Sequence, residues 1–153
     1  MRFPSGAKVV HLLRRGLGAI SNRPPDPRAR SVAESVLTSA EFAIWETMQG
    51  RDRRHSLEVL ARFDALAPGA QRVARAAALL HDVGKTATSL GWFGRVIATV
   101  VGPRTARFDR YMRHEEIGAE MLAGVSDPYT IGLIVSKDDS DPWSVALRRA
   151  DDI

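Results

Sequence analysis

An imidazole and a carboxylate stand side by side at His81 and Asp82, inside the segment Ala-Leu-Leu-His-Asp-Val-Gly-Lys. A second imidazole lies upstream at His55 and a further carboxylate downstream at Asp151, enough donor groups to hold one divalent cation. The chain has no cysteine, which excludes disulfides, thiolate zinc sites and cysteine nucleophiles. Any metal is then held by nitrogen and oxygen, a donor set that favours Mn, Fe, Mg, Co or Ni over a structural zinc. Residues 76–80, Ala-Ala-Ala-Leu-Leu, are wholly apolar and draw the adjoining His-Asp pair into the interior. A buried carboxylate without a partner is costly, and a bound cation would neutralise Asp82 while satisfying His81.

The elements that position these groups read as helices throughout, and no segment shows the alternation of a strand. Residues 8–17 place Val9, Val10, Leu12, Leu13 and Leu17 on one side of a short basic amphipathic helix. Residues 22–27, with three prolines, read as a linker. Thr38 followed by Glu41 forms a capping-box pattern ahead of Phe42, Ile44 and Trp45. Further helices are expected over 52–66 and from about residue 70 through His81-Asp82, with Gly84 as the stop. Residues 89–101 are apolar and read as helix despite their β-branched content, and Pro103 breaks them. A helix is expected over 108–123, and Asp127-Pro128 and Asp141-Pro142 each pair an N-cap with a proline at the first helical position. The expected class is all-α, with no internal repeat.

A length of 153 residues suits one domain with a real core, and 44% hydrophobic with 26% charged residues is ordinary for a globular chain. Apolar runs such as residues 96–101, interrupted by Thr99, fall far below the ~18 residues needed to cross a bilayer. Residues 9–13 are broken by His11 and followed by Arg14 and Arg15, unlike a signal peptide, so a cytoplasmic location is expected. The net charge of +4 is unevenly spread: residues 1–30 carry seven basic residues against Asp26 alone, and the remainder is slightly acidic. Residues 1–30 therefore read as a basic extension and linker, and 38–153 as the folded domain. The extension is either a contact for an anionic partner, nucleic acid or membrane, or a solvated arm.

The ordered set His55 in Arg-Arg-His-Ser-Leu, His81-Asp82 in Leu-Leu-His-Asp-Val-Gly-Lys and Asp151 in Arg-Arg-Ala-Asp-Asp-Ile resembles the HD-domain superfamily of metal-dependent phosphohydrolases, of the HD-x-Gly-Lys type. The resemblance covers about residues 38–153. It implies an HD-domain-like helical bundle with four metal ligands from separate helices: His55, His81, Asp82 and Asp151, with Asp152 as the alternative to Asp151. Such a ligand set leaves positions open on an octahedral ion for water and a phosphate oxygen. The ion lowers the pKa of its water from about 15.7 toward ~7 to 9 and polarises the phosphoryl group. The implied reaction is hydrolysis of a nucleotide or another small phosphoester, with Asp82 both ligand and orienter of the attacking water.

Lys85 is one of only three lysines among 22 basic residues. The resemblance assigns it a phosphate contact or leaving-group role; the plain alternative is a lysine facing a helix C-terminus. His114, in Arg-His-Glu-Glu-Ile, resembles the segment that supplies binuclear members with a further histidine, and reads as a phosphate contact, a proton carrier or a surface residue. Residues 136–139 hold no histidine, so one metal is expected, with Asp138 or Asp139 as the substitutes if a second binds. Arg110 and Arg113, from the series Arg104, Arg107, Arg110, Arg113, are the candidates for phosphate recognition, although the series also suits a solvated face. Arg54 precedes the first imidazole, and Trp92 and Phe93 read as core. Gly84-Lys85-Thr86 is not a P-loop, because Leu79 stands where that motif needs glycine and a helix precedes it. Two functions follow: a single-metal phosphohydrolase, or a helical binding module that keeps the pocket without efficient turnover.

Overall fold

The computed structural model describes residues 22–89, 114–136 and 138–152. Their elements are helices α1 (Pro27–Val36), α2 (Ser39–Glu46), α3 (Gly50–Leu66), α4 (Arg72–Leu80), α5 (Val83–Ser89), α6 (His114–Leu122), α7 (Pro128–Val135) and α8 (Pro142–Asp151). No strand occurs among the described residues, so the all-α expectation holds. None of the helices is long and apolar enough to cross a membrane. The expected helices over 8–17 and 89–101, and Trp92, Phe93, Arg110 and Arg113, lie outside the described residues.

Helix α4 is the hub. Its sequence, Arg-Val-Ala-Arg-Ala-Ala-Ala-Leu-Leu, carries small side chains on several faces, so other helices can approach its backbone from several directions. Helices α1, α2, α3, α7 and α8 all pack against it. Ala74, Ala76, Ala77, Ala78, Leu79 and Leu80 are completely buried. Trp45, Leu60 and Phe63 fill the space around it, and the Trp45 indole donates to the Ser56 hydroxyl at 2.9 Å, so its one polar atom is satisfied.

The capping signals act as read. The Thr38 hydroxyl accepts from the Glu41 amide at 3.2 Å, while Glu41 Oε2 accepts from the Thr38 amide at 2.8 Å. Asp127 and Asp141 cap α7 and α8, each accepting from the amide two residues on at 2.8 Å. The same grammar corrects the reading of residues 22–27 as a linker. Only the part up to Asp26 is non-helical; Asp26 caps α1 through the Ala29 amide at 2.9 Å, and Pro27 is its first residue. Three prolines suggested a spacer, but a proline directly after a capping Asp starts a helix instead.

Gly84 is the second correction. It does not stop a helix: α4 ends at Leu80, the chain turns through His81 and Asp82, and Gly84 lies inside α5. Its role is steric. A Cβ at Gly84 would stand 1.8 Å from the carbonyl oxygen of His114 and 2.8 Å from the amide nitrogen of Gly118, so α5 and α6 cross backbone to backbone. Gly84→Ala should therefore cost about 2–3 kcal/mol in denaturant unfolding. Gly132→Ala, in a helix where a Cβ meets nothing within 4 Å, should stabilise by about 0.5–1 kcal/mol.

Glu41 ties three segments together although it is fully buried. Arg72 donates to its Oε2 at 2.9 Å, and the Ser126 hydroxyl donates to Oε1. Burial pushes its pKa up, but the hydrogen bonds from Ser126, the Thr38 amide and Arg72 outweigh that and hold it below the usual 4.5. A depressed carboxylate adds stability above its unfolded pKa and loses it as pH falls through the folded value. Glu41→Gln should lower unfolding free energy at pH 7 by about 2–3 kcal/mol and flatten its decline below about pH 4.5.

Candidate metal centre

Burial of α4 decides where polar chemistry can occur, because the helix can end only where its last groups find partners. His81 is its C-cap, and Asp82 follows before α5 begins. His81 is 9% exposed and Asp82 2% exposed. His55 projects from α3, which packs along α4, and Asp151 is the last residue of α8, which packs on α3. One nitrogen from each histidine and one oxygen of Asp82 lie within 4.8 Å of one another. Two ligands on opposite sides of one ion, each about 2.1 Å from it, stand about 4.2 Å apart, so the cluster is close to the size of a coordination shell.

Asp151 Oδ1 sits between the two imidazoles, 2.9 Å from His55 Nε2 and 3.3 Å from His81 Nε2. Contact with His55 first and His81 second holds the Asp151 carboxyl well below the usual carboxylate range. Of the two adjacent aspartates, Asp151 faces the site, while Asp152 ends the helix, its backbone N–H donating to the Arg148 carbonyl at 3.0 Å.

The tautomer of His81 carries the case for a cation. Its Nδ1 lies 3.0 Å from the Ala78 carbonyl, which can only accept, so Nδ1 bears the proton. In the neutral ring, Nε2 then presents a lone pair to Asp151 Oδ1 and to Asp82 Oδ2, 3.5 Å away. It makes no directed hydrogen bond there although it is buried. A lone pair facing two carboxylates is repulsive unless a proton or a metal ion stands between them. Ring N–H donation to a backbone carbonyl is also the usual outer support of a metal-bound imidazole. The residues therefore fit a divalent cation.

Lys85 places a positive charge beside the cluster. Its Nζ lies 2.7 Å from Asp82 Oδ2, and it stands in the first turn of α5, where a positive charge is disfavoured by the helix dipole and needs such a carboxylate. His114 begins α6, half-buried, and its backbone carbonyl abuts Gly84, two residues past Asp82. Asp138 and Asp139 are occupied elsewhere: Asp138 accepts from the Ser140 amide at 2.8 Å, and Asp139 pairs with Arg148. Sequence reasoning passed over Arg62, whose Nη1 donates to the Ala150 carbonyl at 2.8 Å, next to Asp151. The available signal was its spacing, two helical turns after His55.

Comparison with known families matches residues 53–144, more than half of the chain, to the HD domain. The chain belongs to the HD-domain family. HD domains form a superfamily of metal-dependent phosphohydrolases and bind divalent metals, in keeping with the cluster of His55, His81 and Asp82. The matched HD span contains these three residues together with Lys85 and His114, and Asp151 follows it. No curated protein and no solved structure matches the chain.

Burial alone would lower the pKa of His81, but the Asp151 contact and the charges of Asp82 and Asp151 raise it above 6.5. A bound metal must replace the proton that this raised pKa retains. Mn(II) affinity, measured calorimetrically in buffers of different ionisation enthalpy, should rise by up to about tenfold per pH unit while His81 is protonated, with proton release, and level off at higher pH.

Proposed function

We propose that this HD domain hydrolyses a nucleotide or another small phosphoester, using one divalent cation held by His55, His81, Asp82 and Asp151. The single observation that carries the reading is the buried Nε2 of His81, facing two carboxylates with no hydrogen bond of its own. When bound, the cation supplies Lewis acidity and a water acidified into the neutral range. The protein's own groups do the remainder. Asp82, 2% exposed, has its Oδ2 held by Lys85 at 2.7 Å, so its carboxylate plane is fixed and can orient the attacking water. Lys85, whose side chain is 43% exposed, can reach outward to a phosphate oxygen while remaining anchored on Asp82. Its charge opposes the negative charge that builds on the leaving side of the phosphoryl group.

His114, Arg110 and Arg113 complete the proposed substrate side. His114 is supported by the backbone crossing that brings the start of α6 against Gly84. Arg113 immediately precedes it and Arg110 stands four residues before it in sequence, and their guanidinium groups suit bidentate phosphate binding. The basic stretch over residues 1–30 is proposed as a contact for an anionic partner, with its last residues forming the start of α1, which packs on α4 as part of the folded domain.

A second reading, a binding module with little turnover, is favoured by one observation: the Lys85–Asp82 ion pair engages both groups assigned to chemistry. Assay of the purified chain against a panel of nucleotides and small phosphoesters with added Mn(II) separates the two. The enzyme reading expects metal-dependent phosphate release that falls by at least about a thousandfold in His81→Ala. Mn(II) binding without phosphate release from any substrate would establish the module and overturn the enzyme.

A further inference from the structure

Helix α8 has to deliver Asp151 from its final turn, and the last carbonyls of any helix lack intrahelical partners. One of them, that of Ala150, is capped from outside: Arg62 of α3 donates Nη1 to it at 2.8 Å. The other arm of the guanidinium, Nη2, lies 3.4 Å from Glu58 Oε2 one turn earlier on α3, which orients the fork. Arg62 stands two turns beyond His55 on the same helix, so one face of α3 both contacts the Asp151 carboxylate and caps the preceding carbonyl. Ala150 itself is completely buried, which leaves its carbonyl little access to water as a substitute acceptor partner.

We infer that Arg62 is a positioning residue for Asp151: its hydrogen bond to the Ala150 carbonyl locks the last turn of α8 so that the carboxylate faces His55 and His81. The inference rests on the metal reading above only for its binding readout. A cation at a helix C-terminus also gains from the dipole, so one side chain supplies both a hydrogen bond and a favourable charge.

The test uses the full chain in two measurements. Amide hydrogen exchange on metal-free protein follows Asp152, whose N–H bonds to the Arg148 carbonyl. Arg62→Met should speed its exchange by up to about tenfold. Mn(II) titration should then show Arg62→Met binding about tenfold more weakly than the wild type, and no further loss when Arg62→Met is added to Asp151→Ala. A purely structural arginine would lower the melting temperature without this dependence on Asp151.

Arg62→Lys keeps the stem, the charge and one donor, and should recover most of the affinity even if Arg62→Met folds poorly. Unchanged exchange in Arg62→Met, an equal loss of affinity in the Asp151→Ala background, or lysine and methionine weakening binding alike would each overturn the assignment. A wild-type chain that takes up no Mn(II) sinks the metal reading instead, and the exchange result still decides whether Arg62 holds the turn that carries Asp151.

Discussion

The described helices are arranged around the end of one buried helix. α4 is lined with alanine and leucine and covered by its neighbours, so its C-terminus cannot be solvated in the ordinary way. The sequence places an imidazole and a carboxylate there, and both are kept from water. Polar groups in such a position must be paired, because the low local dielectric makes an uncompensated charge expensive. Ala78 satisfies one ring nitrogen of His81 and Lys85 one oxygen of Asp82. What is left over, the second ring nitrogen of His81 facing oxygens of Asp82 and Asp151, calls for a proton or a metal ion between them and makes this corner a candidate cation site.

The surrounding helices supply the rest of that site through packing that would otherwise look purely structural. α3 lies along α4 and brings His55 within reach; α8 lies along α3 and brings Asp151. α5 leaves the site and crosses α6 at glycine contacts close enough to exclude a Cβ, which carries the start of α6 toward the same corner. Stability and function are therefore coupled without being the same thing. The Glu41–Arg72–Ser126 network holds α2, α4 and the loop after α6 together with none of its members in the metal cluster.

Much of this was legible before folding. Asp-Pro pairs and the Thr38–Glu41 box are local signals, and local hydrogen bonds form the same way wherever the segment sits. The misreadings at Asn22 to Pro27 and at Gly84 have one cause. Proline and glycine read locally as breaks, but their meaning depends on context: proline after a capping Asp starts a helix, and glycine can record a close approach by another backbone.

Residue types and order alone determined that this chain is helical, that its donors are nitrogen and oxygen, and that His81-Asp82 follows an apolar helix. These are properties of neighbouring residues and of composition. Only the tertiary structure decided that Asp151 and not Asp152 meets the imidazoles, that Asp82 is shared with Lys85, and that Arg62 caps the turn beside Asp151. His55 and Asp151 are 96 residues apart, and a contact across that distance depends on the crossing of α3 and α8. A helix end presents adjacent aspartates about 100° apart, so its rotation against its neighbour selects the one that faces inward, and no local sequence signal carries that rotation.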